Sequence, residues 1–179
     1  MKRRIFGFGS LVTRATHDLG WLGTAKLKGY RRAWVPSPDW DISLLSVEPD
    51  PNAEIDGSIL EVAAEAWPAL LEREKGYDVH SLKALDLEPS FEDVALFVGR
   101  PTEVAEDESR PIVLSYLDTV VTGFVESYGS DRARDFFKST VGWRAGILRD
   151  RENPKYPRTV PLKPEIKAIV DEELKNLGL

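Results

Sequence analysis

The chain has 179 residues, of which 42% are apolar and 30% charged, and its formal net charge is −6. This length suits one domain with its own buried core, and the composition is that of an ordinary globular protein. An acidic chain repels phosphate backbones, so we expect no nucleic-acid partner. The absence of cysteine excludes disulfides, thiol nucleophiles and cysteine-based zinc sites.

The sequence also indicates neither a metal site nor a membrane-spanning segment. The only histidines, His17 and His80, lie far apart in the sequence and form no closely spaced pair of metal ligands. No apolar run approaches the ~18 residues needed to span a bilayer, and no signal-peptide pattern follows the first residues. We therefore predict a cytoplasmic protein without a metal site and without a membrane partner.

Strand-like segments dominate the first hundred residues. Gly23 and Gly29 predict bulges inside the longest of these strands. The proline-rich segment Glu48–Asn52 predicts a turn between two strands, and Asp86–Glu88 predicts an acidic turn. The predicted strands are Ile5–Phe8, Leu19–Val35, Ile42–Val47, Ile55–Val62, Tyr77–Ala84 and Val94–Val98.

Helical periodicity dominates the remainder of the chain. Gly129 is placed to cap one helix, and the proline-punctuated segment 149–161 is expected to be irregular. The order of strands first and helices later favours an α+β fold over alternating βαβ units. The predicted helices are Ala63–Glu74, Pro111–Tyr128, Asp131–Thr140 and Pro164–Leu177.

The most informative local feature is the break of the first strand into Gly7-Phe8-Gly9-Ser10-Leu11. Small residues after a strand expose successive backbone N–H groups, which can hold a carboxylate or a polarised carbonyl oxygen. An ordinary tight turn remains the alternative. A dinucleotide-binding loop is excluded because Val12 occupies the position of the third glycine.

A carboxylate is the expected acid–base group, because the chain lacks cysteine and a histidine pair. Glu74 ends an amphipathic helix just before the chain turns into a strand, and Leu70 lies one helical turn before it. A partly buried glutamate has a raised pKa and can accept and return protons. An exposed carboxylate near Arg73 or Lys75 is the alternative, and Glu72, on the opposite side of the helix, is the rival base.

Ser10 is not expected to act as a nucleophile. No histidine or lysine lies near it in the sequence, and its surroundings are not a G-x-S-x-G elbow.

A second local feature is the basic group Lys26, Lys28, Arg31 and Arg32, which either guides an anionic small substrate or forms a solvated strand edge.

These segments together resemble the gamma-glutamylcyclotransferase-like family over about residues 4–100. The family has a Tyr-Gly-Ser loop after its first strand, and a glutamate that ends a helix before an aromatic-led strand. Phe8-Gly9-Ser10-Leu11 and Leu71–Tyr77 match these features, although Phe8 replaces the usual tyrosine and lacks its hydroxyl. The segments Leu27–Trp34 and Gly57–Val62 match the strands between them.

The resemblance implies a mixed, partly closed β-barrel with flanking helices. The core is expected at residues 1–109, and residues 110–179 are expected to form a helical extension packed on the same domain. The charged and aromatic segment Leu148–Arg158 is either a lid over an anionic substrate or a surface connection.

The resemblance also implies a reaction that needs no cofactor. A small-molecule γ-glutamyl substrate would cyclise to 5-oxoproline and release an amine, with Glu74 as general base and acid. Phe8, Gly9, Ser10, Leu11 and Tyr77 would bind the substrate. Two alternatives stay open: a related amide-cleaving enzyme acting on a γ-glutamylated intermediate, and a non-catalytic binding protein. The sequence also leaves open whether the helical tail closes the cavity, recognises a partner or forms a homodimer.

Overall fold

The computed structural model describes residues 2–100, 102 and 110–179. These residues form a mixed α+β structure in which one main sheet is flanked by helices. The predicted domain boundary at residue 109 lies outside the described residues.

Seven strands form the main sheet in the described part of the chain. The strand order is β4-β6-β1-β3-β2-β5, and β8 also pairs with β2. Strands β1 and β6 are parallel, as are β2 and β8, whereas the other pairs are antiparallel. The strands are β1 (Arg3–Gly7), β2 (Gly20–Pro36), β3 (Ser43–Val62), β4 (Tyr77–Ser81), β5 (Leu87–Glu88), β6 (Val94–Gly99) and β8 (Thr140–Val141), while β7 (Ile112–Val113) and β9 (Ile147–Leu148) form a separate parallel pair.

Four α-helices occur among the described residues, and short 3₁₀ turns connect several elements. None of the helices in this part of the chain is long and apolar enough to cross a membrane. The α-helices are α1 (Trp67–Arg73), α2 (Leu114–Tyr128), α3 (Ser130–Ser139) and α4 (Pro164–Asn176).

The sheet does not close on itself. Strand β4 forms one edge, β5 and β8 lie at the other, and no hydrogen-bonded ladder joins the two edges within the described ranges. The mixed sheet and flanking helices agree with the expected α+β fold. The expected partly closed β-barrel is only partly supported, because the sheet is open.

The first strand lies in the middle of the sheet with both of its faces covered. Ile5 and Phe6 are fully buried, and they belong to different apolar clusters because successive strand residues point to opposite faces. Phe6 packs in the cluster that includes residues of α2, α3 and α4, whereas Ile5 packs with Leu70 of α1. The loop that follows β1 is therefore anchored by a rigid central strand.

The predicted turn at Glu48–Asn52 is wrong. The chain continues as a single strand, β3, and both of its halves pair with β2. Lys28 pairs with Glu54 but Tyr30 pairs with Pro49, so the residues between Pro49 and Glu54 bulge outward opposite Gly29. The turn-forming residues produce a bulge rather than a reversal because the same partner strand continues on both sides.

Several other boundaries differ from prediction. Helix α1 begins at Trp67 rather than at Ala63, after a 3₁₀ turn at Ala64–Ala66, and β4 ends at Ser81 rather than at Ala84. Helix α2 begins at Leu114 rather than at Pro111, because Ile112 and Val113 instead pair with β9. The expected acidic turn at Asp86–Glu88 is a 3₁₀ turn that ends at Asp86, followed by the short strand β5. The bulges at Gly23 and Gly29 and the helix end at Gly129 are as predicted.

Candidate functional site

The loop after β1 turns tightly and leaves backbone donors unused. Ser10–Val12 form a 3₁₀ turn in which Val12 N–H donates to the Gly9 carbonyl at 2.9 Å, and Thr13 N–H donates to the Ser10 carbonyl at 3.1 Å. Within the described residues, the N–H groups of Gly9 and Leu11 donate no hydrogen bond. Of the successive backbone donors expected here, those of Gly9 and Leu11 are unused, whereas the backbone of Ser10 hydrogen-bonds to Tyr116.

Tyr116 of α2 contacts this loop, although the sequence did not indicate it as a site residue. Its hydroxyl lies 2.7 Å from the position that a Cβ atom would occupy at Gly9, so no larger residue fits there without movement. The backbone of Ser10 hydrogen-bonds to this hydroxyl. Burial raises the pKa of Tyr116 above its usual value, so the hydroxyl stays protonated and can donate its hydrogen.

Glu74 follows the last residue of α1 and points inward. Its N–H donates to the Leu70 carbonyl at 2.9 Å, and its own carbonyl accepts from Tyr77 N–H at 2.9 Å, so the chain reverses directly after it. Its side chain is 13% exposed, whereas that of Glu72 is 77% exposed. Glu72, the rival base, therefore faces solvent.

The partner of the Glu74 carboxylate is its sequence neighbour. Arg73 Nε lies 2.9 Å from Glu74 Oε1, and the Arg73 side chain is only 10% exposed. The alternative prediction was an exposed carboxylate near Arg73. The pairing with Arg73 is confirmed, but the exposure is wrong because the pair is buried. Burial raises the pKa of Glu74 and outweighs the opposing effects of Arg73 and the more distant Arg158.

Arg73 also joins the end of α1 to the loop after β1, residues 8–11, which we call the glycine loop. Its Nη1 donates to the Thr16 carbonyl at 3.0 Å, and its Nη2 lies 3.4 Å from both Ser10 Oγ and Thr16 Oγ1. Thr16 Oγ1 donates in turn to the Ser10 carbonyl at 2.9 Å. One guanidinium therefore contacts the catalytic candidate and the predicted substrate loop together.

All six residues selected from the sequence line one cavity, together with residues that the sequence did not indicate. The cavity has a volume of about 30 Å³, enough for a few water molecules. Its lining comprises Phe6, Gly7, Phe8, Gly9, Ser10, Leu11, Leu45, Glu74, Tyr77, Phe97 and Tyr116.

Two of the predicted substrate-binding residues have polar groups that are already occupied. The Tyr77 hydroxyl donates to the Leu45 carbonyl at 3.0 Å, and burial raises its pKa well above the usual value. The Phe8 carbonyl accepts a hydrogen bond from Arg32 Nε at 3.0 Å. Tyr77 and Phe8 therefore offer mainly ring surface to the cavity.

His17 fixes the far end of the loop. Its Nδ1 accepts from Leu19 N–H at 3.2 Å, so its Nε2, 3.0 Å from the Leu11 carbonyl, is the donor of a neutral ring. Burial lowers the pKa of His17, which favours that neutral form. In the part of the chain that the structure describes, no cluster of three or more histidine, cysteine, aspartate or glutamate residues could hold a metal ion.

The predicted irregular segment after β9 is tied to the start of α2. Asp150 accepts hydrogen bonds from Ser115 N–H at 2.8 Å, Ser115 Oγ at 2.6 Å and Lys155 N–H at 2.7 Å. Tyr156 N–H donates to Ser115 Oγ at 3.2 Å, and its ring packs edge-on against Tyr116 with centroids 5.0 Å apart. We call residues 149–163 the strap, because this segment contacts the first turn of α2, which carries Tyr116 of the cavity lining.

The four residues of the basic group on β2 differ in exposure: three lie at the surface and one is buried. Lys26, Lys28 and Arg31 are partly or fully exposed and pair with glutamates on neighbouring strands, as expected for a solvated edge. Arg32 is 2% exposed, so that interpretation is wrong for it. Its position in β2, covered by β8 on one side and by helix residues on one face, buries the side chain.

Sequence comparison and structural comparison give different results for this chain. No protein-family profile matches the sequence, and the comparison with curated proteins found no match. Among solved structures, the chain is similar to a gamma-glutamyl cyclotransferase, with a TM-score of 0.61 and 15% identity over 96% of this chain and 99% of that one.

Two further solved structures are similar to most of this chain. The uncharacterized protein loc79017 from Homo sapiens has a TM-score of 0.61 and 16% identity, over 95% of this chain and 98% of that one. YkqA from Bacillus subtilis has a TM-score of 0.59 and 18% identity, over 76% of this chain and 53% of that one. The chain therefore has the gamma-glutamyl cyclotransferase-like fold, and the identity is low enough that only the fold follows.

Proposed function

We propose that this protein is an enzyme that cyclises a γ-glutamyl amine or peptide to 5-oxoproline and a free amine. The observation that carries the proposal is a buried glutamate, Glu74, lining the same cavity as the loop that contains Gly9 and Leu11. The shared fold with a gamma-glutamyl cyclotransferase supports this choice of reaction.

The reaction joins two groups of one substrate molecule. The substrate's α-amine attacks its γ-carbonyl carbon, which forms the ring C–N bond, and the side-chain amide C–N bond then breaks. Because nucleophile and electrophile belong to the same molecule, the protein contributes mainly by holding them in an attacking geometry.

Glu74 is the proton carrier in this scheme. Its carboxylate accepts a proton from the α-ammonium group and later gives it to the leaving amine. A carboxyl with a raised pKa suits both steps, because it is neither too weak a base nor too weak an acid near neutral pH. The nearby Arg73 favours the ionised carboxylate and so opposes the effect of burial on the pKa of Glu74.

The glycine loop and Tyr116 are the donors for the substrate oxygen atoms. The N–H groups of Gly9 and Leu11 are not used within the described structure, and the Tyr116 hydroxyl remains protonated. Such donors stabilise negative charge on a tetrahedral intermediate when they are fixed in advance.

At about 30 Å³ the cavity is much smaller than a typical ligand pocket, so we expect part of its lining to move when a whole substrate binds. The strap is the segment proposed to move, because the ring of its Tyr156 packs against Tyr116, a residue of the cavity lining. Arg158 of the strap is exposed and forms no ion pair within the described residues, and its charge acts on Glu74. We assign Arg158 to attraction of an anionic substrate.

The test is mass-spectrometric detection of 5-oxoproline from a panel of γ-glutamyl amino acids, peptides and amines. The parent protein is expected to release 5-oxoproline from at least one of them. Glu74→Gln should lower turnover by about 10²–10⁴-fold while binding persists. Glu72→Gln is the matched control, because Glu72 is two residues away but exposed, and it should leave turnover unchanged. Equal turnover in Glu74→Gln and the parent would show that Glu74 is not the base.

The two alternatives are separated by the same panel. An amide-cleaving enzyme of another kind would release the amine without 5-oxoproline, and a binding protein would release neither. The buried Arg73–Glu74 pair favours an enzyme over a binding protein, because an arginine pairing with Glu74 on the outer surface would have removed it from the cavity.

A further inference from the structure

Arg32 is the largest fully buried side chain of the described structure, and it is charged. Its guanidinium carbon lies 4.7 Å from the ring centroid of Phe124 and 5.3 Å from that of Phe136. No carboxylate lies within ion-pair distance of it among the described residues, although the charge of Asp56 acts on it from farther away. Burial lowers the pKa of Arg32 to about 10, so it is still a cation at neutral pH.

The hydrogen bonds of this guanidinium go to two backbone carbonyls. Nε donates to the Phe8 carbonyl at 3.0 Å, and Nη2 donates to the carbonyl of Asp56 in β3. Arg32 therefore ties the start of the glycine loop to the neighbouring strand. A buried cation is a costly way to fill space when an apolar side chain of similar size would pack there, which points to a function for the charge.

The Phe8 carbonyl and the Gly9 N–H belong to one peptide group. A cation hydrogen-bonded to the oxygen draws electron density toward it, which makes the N–H of the same peptide a stronger donor. The hydrogen bond also fixes the plane of that peptide, and hence the direction of the N–H. The Gly9 N–H is one of the donors that remain unused in the described structure.

We propose that Arg32 is a positioning residue that orients and polarises the Phe8–Gly9 peptide so that the Gly9 N–H binds the substrate oxygen. The inference rests on the proposed function for its kinetic consequence, but the state of the Gly9 amide can be measured without any substrate. Arg32 acts through this peptide and does not itself touch the substrate.

The experiment compares two variants of Arg32 with one control. Arg32→Lys keeps the charge but loses the fork that bridges two carbonyls, and Arg32→Met keeps apolar packing against the rings and loses the charge. Tyr128→Phe is the control, since Tyr128 stacks on Phe124 and its hydroxyl donates to Ala25 and Gly57 carbonyls without contacting the loop.

The first measurement is the Gly9 amide proton chemical shift by NMR, with Leu11 as internal comparison. Both Arg32 variants should move the Gly9 proton upfield, and Tyr128→Phe should leave it in place. The second is 5-oxoproline formation at a temperature where each variant is fully folded. In both Arg32 variants, kcat/KM should fall by at least about tenfold, but by less than the 10²–10³-fold that follows when a whole oxyanion donor is deleted. In Tyr128→Phe, kcat/KM should change little.

An Arg32 that serves only stability gives a different pattern. Folded Arg32→Lys and Arg32→Met would then keep the parent kcat/KM and the parent Gly9 shift, and that result would overturn the proposal. If neither variant folds, the test uses the parent protein alone. A Gly9 amide proton well downfield of the Leu11 amide proton would support the proposal, and equal chemical shifts for the two protons would overturn it.

The experiments distinguish failure of the proposed function from failure of the role proposed for Arg32. If the parent forms no 5-oxoproline from any substrate, the proposed function fails, yet an upfield Gly9 shift in the Arg32 variants would still establish the polarised peptide. If the parent is active and the Gly9 shift and kcat/KM do not change in the variants, only the role of Arg32 is wrong.

Discussion

Arg73 and Glu74, adjacent in the sequence, form a buried ion pair in which Arg73 Nε lies 2.9 Å from Glu74 Oε1. The carboxylate is at the end of a helix, where its side chain lines the same cavity as the glycine loop, and the guanidinium contacts Ser10 and Thr16. The pair sets the charge state of the cavity. Burial favours the neutral acid and the guanidinium favours the carboxylate, so a change in either one alters the titration of Glu74.

The pH dependence of stability should show this raised pKa. Between the usual carboxyl value of 4.5 and the higher pKa of Glu74, the folded protein binds more protons than the unfolded chain. The free energy of unfolding therefore falls as pH rises through that window. Glu74→Gln should remove this fall, and urea denaturation across pH 4–8 would show it. Parallel stability curves for variant and parent would contradict the raised pKa.

Loss of Arg73 should shift the activity profile. Arg73→Gln removes the cation that favours the carboxylate, so the pKa of Glu74 rises further and the acid limb of kcat/KM moves to higher pH. Stability should fall by about 3 kcal/mol, because the variant breaks a buried pair. Lys75→Gln, an exposed neighbour, serves as control and should leave the acid limb in place. An acid limb that is unchanged in Arg73→Gln would mean that Arg73 does not tune Glu74.

Gly9 and Tyr116 should be coupled. A methyl group at residue 9 would lie 2.7 Å from the Tyr116 hydroxyl, so Gly9→Ala should cost about 1–3 kcal/mol through overpacking and should lower turnover. The double variant Gly9→Ala with Tyr116→Phe removes the clashing oxygen and should regain part of the lost stability. A double-mutant cycle by thermal unfolding measures this coupling, and additive costs would show that the two residues do not collide.

His17 should contribute stability that is lost on acidification. Burial lowers its pKa below the usual 6.5, so between those two values the unfolded chain binds more protons than the folded protein. Stability therefore rises with pH through that window and is lost as pH falls. His17→Gln should flatten this part of the stability curve, which chemical denaturation would reveal. His80→Gln, at an exposed site on β4, should keep the slope of the parent.

Arg158 should affect binding rather than chemistry. If its exposed charge attracts an anionic substrate, Arg158→Gln should raise KM about fivefold, corresponding to about 1 kcal/mol for an exposed pair, and should leave kcat nearly unchanged. Lys155→Gln, on the same strap and also exposed, is the control. The effect should weaken as salt concentration rises. A change in kcat alone would argue against an electrostatic role at the entrance.

The sequence by itself determined much of the local structure. The apolar run before Gly7, the glycines of β2 and the periodic helices are short-range patterns, and each reports turn chemistry or side-chain spacing within a few residues. The position of Glu74 directly after a helix and before a returning strand follows from the same signals. These patterns, together with the resemblance, were sufficient to select six residues that line one cavity.

Only the tertiary structure decided which polar groups are buried and what they contact. It placed Glu72 in solvent and Glu74 inside, brought Tyr116 to Gly9, and enclosed Arg32 between β2 and the rings of Phe124 and Phe136. It also turned the proline-rich segment Glu48–Asn52 into a bulge. The physical reason is that burial and pairing depend on elements far away in the chain, and no local spacing encodes which of them packs over a given residue.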